Sequence, residues 1–453
     1  MTRGDGMESI WSKERPRILT DNRPLPNRAE VVIIGGGMAG LLCAYLLKEA
    51  GVAPIVLEAD VVCSGQTGNT TAKITSQHEL IYDELTTTFG TTTASQYGSI
   101  NQKTIDEYER IIKEKRMDCE FRRLPAYLYT KTEDGARTLE MERVAAKKAG
   151  ISASIVYETD LPFSVKMALK YDRQAQFHPL KFLSGIVPEL EIYEHTRVLR
   201  VNGQEAVTEK GTVTADHVVM ATHFPFVNFP GFYFARMHQE RSYVLALEAK
   251  QPDGATVQLD GMYYGIDSDG LSFRSAGNQI LLGGGSHRTG KVQKENPYDA
   301  LRREAAALWP GYRETARWAA QDCMTIDKLP YIGRFSKSRP NWYVATGFGK
   351  WGMTNSMIAA MAIRDMILGR TDPDWQCVSP ERKLTKKAVG TLMKEAAATT
   401  KNFLTPERPR CPHLGCRLVW NPHEKSWDCP CHGSRFAEDG GIIDNPAQKN
   451  KSV

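Results

Sequence analysis

Val31-Val-Ile-Ile-Gly-Gly-Gly-Met-Ala-Gly40 joins a continuous β-branched run to a glycine turn, and the apolar periodicity then continues as a helix through Leu47. A run that is apolar on both faces reads as a buried parallel strand. Glycines at Gly35, Gly37 and Gly40 complete the G-x-G-x-x-G spacing, which lets the backbone turn tightly and bring N–H groups up to a pyrophosphate at a helix N-terminus. The next strand, Ala53-Pro-Ile-Val-Leu57, ends in Glu58, eighteen residues past Gly40. That acid is placed to accept hydrogen bonds from a ribose 2′-OH. The expected fold class is therefore α/β, with a Rossmann-like dinucleotide-binding domain. No second such motif follows a strand and opens a helix: Gly283-Gly-Gly285-Ser-His-Arg lacks a helical pattern after it. NADH is accordingly not the expected reductant.

Downstream of Glu58, Cys63-Ser-Gly-Gln-Thr-Gly-Asn-Thr-Thr-Ala-Lys73-Ile-Thr-Ser-Gln-His78 resembles the small-residue segment of FAD-dependent oxidoreductases of the D-amino-acid oxidase superfamily. Asp327-Lys-Leu-Pro-Tyr-Ile-Gly333 and Tyr343-Val-Ala-Thr-Gly-Phe-Gly-Lys-Trp-Gly352-Met-Thr-Asn-Ser resemble that family's closing FAD motif. The resemblance, over about residues 25–385, implies FAD contacts at Thr71, Ala72, Lys73, Val198, Ala221, Thr222, Gly333, Gly347, Gly349, Gly352, Met353 and Thr354. It also implies that the late strand returns beside the first, aiming a helix N-terminus at the flavin. The expected organisation is an extension over 1–27 and an oxidoreductase over 28–383. Nucleotide-binding parts fall near 28–80, 185–230 and 320–370, and an α+β antiparallel-sheet substrate domain near 81–184 and 231–319. Strands are expected at 124–130, 242–248, 261–265, 271–274 and 278–283, and a charged amphipathic helix at 103–115.

Cys411-Pro-His413, fifteen residues, then Cys429-Pro-Cys-His432 form the second informative pattern. The alternation C-x-H…C-x-x-H suits a [2Fe-2S] centre of the Rieske type, with thiolates Cys411 and Cys429 on one iron and imidazoles His413 and His432 on the other. Neutral imidazoles raise the reduction potential to roughly −150 to +300 mV and make a one-electron acceptor. A tetrahedral zinc shell is the alternative that the same residues allow. His423 matches no ligand position and reads as a surface side chain. The segment resembles the cluster loops of cytochrome bc Rieske proteins, which implies a Cys416–Cys431 disulfide and hydrogen bonds to the cluster from Gly415, Gly433 and Ser434. The strands that usually precede the first loop are missing. Residues 405–453 are thus expected to form a small cluster-binding segment that leans on the larger domain, joined to it by an amphipathic helix and linker at 384–404.

Flavin-dependent amine oxidation asks little of side chains beyond orientation. Candidates are Arg274 as a carboxylate clamp, Tyr264, His78 and, bordering the flavin, Lys350. Tyr263 and Tyr264 lie on opposite faces of a strand, so at most one reaches a pocket. Gln77 is a further polar candidate, and His178 either lies by the active site or caps a helix. Arg274 has the competing reading of a surface or sheet-edge residue, and His78 that of a cap or packing side chain.

A net charge of +5 with scattered Lys and Arg gives nucleic acid no footprint. No run of apolar residues is long enough for a membrane span, and the polar N-terminus lacks a secretory pattern. The cytoplasm is the expected location, with five isolated cysteines as free thiols. The combined expectation is a dehydrogenase that moves a hydride pair from a small amine or amino acid to FAD and exports electrons singly, through the cluster, to a protein or quinone-like acceptor. An oxidase with a structural C-terminal flap and a redox-sensing electron-transfer protein stand as alternatives.

Overall fold

A computed structural model describes residues 8–16, 23–404 and 409–451. Parts of the expected N-terminal extension, residues 405–408 and the last two residues lie outside them. The glycine-rich stretch folds as read: β1 (Arg28–Ile34), α1 (Met38–Glu49) and β2 (Pro54–Leu57). The last four residues of β1 are buried: Val31 and Ile33 share a cluster with Leu41, Met357 and Ile358, and Val32 and Ile34 one with Val198, Val201, Val213 and Met237.

β1 lies inside an eight-stranded sheet of order Tyr331–Ser336, Arg339–Thr346, Gly211–Met220, β1, β2, Glu191–Tyr193. All these pairings are parallel except that of the first two strands. The late strand Arg339–Thr346 therefore does not lie beside β1 as expected. Both sides of β1 are already taken, by β2 and by Gly211–Met220, so the late strand pairs one place further out. Its following helix, Gly352–Ile367, still packs against α1.

A nine-stranded sheet forms the second layer, and the expected strands are all in it, as Arg122–Thr130, Met237–Glu248, Met262–Gly265, Ser272–Ala276 and Gln279–Arg288. It is antiparallel apart from the pairing of Met262–Gly265 with Arg122–Thr130. The expected helix at 103–115 is the second half of Thr91–Glu114.

Helix Lys386–Leu404 leads to a separate four-stranded antiparallel meander, Val419–Asn421, Ser426–Asp428, Arg435–Phe436 and Ile442–Asp444. Among the described residues its strands all follow Cys411, as the missing upstream strands required. Its core is small: Cys411, Cys416, Leu418, Cys429, Cys431, Phe436 and Ala447. No described helix is long and apolar enough to cross a membrane.

Candidate functional site

A cavity of about 430 Å³ runs between the two large sheets. One end is walled by Glu58 and Val198, the middle by Gly35, Gly37 and Thr222, and the far end by Phe348–Met353 opposite Lys73, Tyr264 and Asp322. The glycine turn is tight enough that a Cβ on Gly40 would fall 1.9 Å from the Gly35 carbonyl oxygen. Only a residue without a side chain fits there. The Glu58 carboxylate accepts from the N–H groups of Gly36 (2.6 Å) and Asp60 (2.8 Å), which fixes it at the cavity end. Burial raises its pKa. At the far end, helix Gly352–Ile367 begins without a side-chain cap, and its first residues line the cavity. Its free N–H donors and dipole favour negative charge at that point.

The second constellation lies in the small meander. Cys411 and Cys429 are hydrogen-bonded to one another, and that bond lowers the pKa of the Cys411 thiol while raising that of Cys429. The rings of His413 and His432 stand edge to face with centroids 5.0 Å apart. Burial pushes both histidines down, to about 4 and about 3, so both are neutral imidazoles. Each has a buried Nδ1 with no hydrogen-bond partner. Two soft thiols and two unpartnered imidazole nitrogens on adjacent loops fit a mixed Cys/His iron–sulfur centre. The loops are joined by the Cys416–Cys431 disulfide. Cys416 and Cys431 also lie close to Cys429, but in the disulfide they are not available as thiolates.

Buried charge seats this meander on the nine-stranded sheet. Arg241, on strand Met237–Glu248, pairs with Glu424. Arg435 reaches Glu424 and Asp428 at 3.0 Å and Asp444 at 3.1 Å. The Gln239 side-chain amide donates to the carbonyls of His432 (2.7 Å) and Asn445 (3.1 Å), and that of Gln321 to Gly433 (2.8 Å). Gly433 has φ +82°, and an added Cβ would lie 2.6 Å from Gln239. The histidine edge is covered too: His413 Nε2 lies 2.9 Å from Asn228 Oδ1, and Phe224 and Phe234 stand edge-on to His432. Ile442 to Asn445 form part of the wall of the large cavity, and Asn445 donates to the Thr222 and Phe224 carbonyls.

The family model described as FAD dependent oxidoreductase (DAO) matches residues 30–366. The chain belongs to this family. Residues 374–453 match the Rieske [2Fe-2S] domain, a span that starts upstream of the expected 405–453 and takes in the connecting helix. FAD and a Rieske [2Fe-2S] cluster are thus the cofactors of this FAD-dependent oxidoreductase. YhfW of Bacillus subtilis, named as a Rieske 2Fe-2S iron-sulfur protein, is 34% identical over 93% of this chain and 92% of its own. The gamma-glutamylputrescine oxidoreductase of Escherichia coli is 24% identical over 75% of this chain and 83% of its own. Glycine oxidase from Geobacillus kaustophilus shares the fold, with a TM-score of 0.66 at 18% identity over 79% of this chain and all of that one.

Within the FAD-dependent oxidoreductase cavity the structure brings together Gly35, Gly37, Glu58, Thr71, Lys73, Val198, Ala221, Thr222, Gly349, Gly352 and Met353, with Tyr264 and Lys350 beside them. Other expected positions support it from behind. Gly40 lies against Gly35, Gly347 against Thr325 and Gly333 against Met366. Thr354 Oγ1 both accepts from and donates to the Thr75 backbone.

Arg274 is a correction. Its guanidinium donates to the carbonyls of Thr71 and Ala72, both at 2.8 Å, and of Ser275 at 3.1 Å, and burial pushes its pKa down to about 9. It sits over the Trp11 ring, whose N–H donates to Thr70. Through Nη1, Arg274 anchors the Thr71–Ala72 backbone, and it does not line the cavity. His78 is a second correction. It hydrogen-bonds Tyr97 and stacks on Trp351 at 4.6 Å, and burial holds it neutral with a pKa of about 3. Ala72 likewise faces away, its carbonyl turned to Arg274. Tyr263 turns to Asp160 while Tyr264 donates to Glu79 (2.8 Å), so one of the pair reaches the cavity. Gln77 is buried off the cavity, and His178 caps helix Pro179–Ser184. His423, expected on the surface, is half-buried and contacts the Gln293 carbonyl at 3.1 Å.

Sequence reading missed Gln239, Arg241, Gln321 and Asp322. A signal existed. His238-Gln-Glu-Arg241 puts polar residues on both faces of a strand just before its apolar run Tyr243–Leu247, and Gln321-Asp322 interrupts the apolar stretch from Trp318 to Met324. Such interruptions mark burial against a polar partner.

Proposed function

We propose that the protein is a dehydrogenase of small amines, in which cluster and flavin cavity work as one unit. When bound, FAD supplies hydride acceptance and the cluster supplies one-electron export to a protein or quinone-like acceptor. In this reading Cys411 and Cys429 hold one iron, and the Nδ1 atoms of His413 and His432 hold the other. Glu58 orients a ribose, the turn Gly35–Gly40 receives the pyrophosphate, and the uncapped start of helix Gly352–Ile367 favours negative charge on the flavin. Lys350 and Tyr264 shape the substrate end.

The observation that carries the reading is the shared wall. Ile442 to Asn445 of the Rieske domain line the cavity, and the carbonyl of His432 is bonded to Gln239, one strand position from Glu240 beside Lys350. An export site built against the flavin cavity would be redundant in an enzyme reoxidised directly by oxygen. The name of the E. coli relative supports an amine substrate, and the five free cysteines outside the cluster loops sit comfortably with a cytoplasmic location. The test is anaerobic. The purified protein should hold about two irons and two sulfides per chain and, after dithionite, give the low average g value of a mixed Cys/His centre. A panel of amines should then bleach the flavin and reduce the cluster. Hydrogen peroxide released in step with substrate turnover in air would favour an oxidase instead.

A further inference from the structure

We propose that the substrate of this cavity is a cationic amine carrying no carboxylate, and that Asp322 is the residue that pairs with its ammonium group. The inference rests on the amine reading above and narrows it.

A carboxylate-bearing substrate needs an uncommitted cation, best of all a guanidinium fork. Among the described residues the substrate end of the cavity has no guanidinium in its wall, and both of its lysines have partners of their own. Arg274 does not line the cavity, and its Nε and Nη1 donate to backbone carbonyls behind the loop. Lys73 directs its ammonium at the Tyr263 carbonyl (3.1 Å) and the Ser272 hydroxyl (3.3 Å), and burial pulls its pKa down to about 7. Lys350 stands between Glu79 and Glu240, 3.8 Å from each. Arg241 is committed to Glu424. Arg197 is near Glu58, at the nucleotide end.

Asp322 is placed differently. It lines the cavity from strand Arg313–Thr325, directly across from Glu240 on the neighbouring strand. Its hydrogen-bond partner is the Ser242 hydroxyl, while the charges of Lys350 and Arg241 reach it only through space. A carboxylate has about four acceptor positions, so with the Ser242 hydroxyl on one of them Asp322 keeps capacity for an incoming donor. Burial, reinforced by the charge on Glu240, holds the carboxyl up at about 7. A buried carboxyl in that condition gains most from an incoming cation, which restores the charged form and supplies donors together. A substrate carboxylate in the same place would meet Asp322 and Glu240 with no free donor pair. The floor therefore selects for positive charge by both attraction and repulsion.

Two ligands of almost the same shape and opposite charge test this on the FAD-loaded holoenzyme: tert-butylammonium and pivalate. Neither can be oxidised as an amine, because no hydrogen is present on the carbon next to nitrogen and pivalate has no nitrogen. Binding is read as a saturable shift of the flavin absorption under anaerobic conditions. The expected result is that tert-butylammonium binds at least tenfold more tightly than pivalate. Asp322→Asn should weaken tert-butylammonium at least tenfold and leave pivalate unchanged or tighter. Equal or stronger binding of pivalate, no saturable shift with tert-butylammonium, or an unaltered affinity in Asp322→Asn would overturn the proposal. Should that variant fail to retain FAD, the wild-type comparison decides alone. Because neither ligand turns over, failure here is distinct from failure of the amine-dehydrogenase reading, which would show as no bleaching by any reactive amine.

Discussion

The FAD domain and the Rieske domain of this chain are held together by opposite means. In the FAD domain the core is apolar and large, with Val31, Ile33, Leu41 and Leu46 among many side chains fully withdrawn from water, and ion pairs sit mostly at its surface. The Rieske domain has seven buried apolar side chains at its heart, a disulfide and a buried network of Arg241, Glu424, Arg435, Asp428 and Asp444, of which Arg241 belongs to the larger domain. The first can fold on hydrophobic burial. The second is too small for that and draws its stability from cross-links, ligands and docking. Buried ion pairs are costly to form and costlier to half-remove, so they register the small domain on the large one more than they stabilise it.

The sharpest break of this contrast is Cys429→Ser. Iron content and the EPR signal should vanish while FAD stays bound and substrates still bleach it. Loss of FAD as well would mean that the two regions are not separable in the way their cores suggest. Next in size is Arg241→Met, which leaves Glu424 with one cation fewer in a buried site, at a cost of about 3 kcal/mol. In a urea titration the cluster absorbance should disappear earlier while FAD release is unmoved. Coincident shifts of both would contradict a docking role. A smaller effect is expected from Gly433→Ala, where a Cβ 2.6 Å from Gln239 on a backbone of positive φ costs about 1–3 kcal/mol. Cluster reduction after substrate should slow, with the rate of flavin bleaching unchanged.

The smallest expected effect is on pH. Asp322 faces Lys350, Glu240, Arg241 and Ser242, and its raised pKa of about 7 means that lowering the pH neutralises it. Binding of tert-butylammonium should weaken by about fivefold from pH 7 to pH 6 through Asp322 and level off above about pH 8. Lys73, held near 7, acts in the same direction, since its proton repels the cation at low pH. A flat profile would exclude both groups.

Legibility in the sequence followed the range of the interaction. β1, the glycine turn and α1 could be read directly because their pattern is local, and the presence of a Rieske segment because its Cys/His spacing is strict. The late strand was set one position off, since register within a sheet depends on which distant strand competes for an edge. Arg274 was misjudged because a sequence shows a guanidinium in a strand but not the three carbonyls awaiting it. Asp322 went unread for the same reason: its neighbours in the cavity, Lys350 and Tyr264, are distant in the chain, and only folding sets their charges against one another.

The covered histidine edge has a consequence for the timing of turnover. His413 and His432 already rest against Asn228, Phe224 and Phe234, and the ion network ties the Rieske domain to strand Met237–Glu248. Its separation from the flavin is then constant from one cycle to the next. The internal step should proceed at a rate indifferent to solvent viscosity, and any drag felt by the enzyme should belong to substrate arrival and the departure of the acceptor.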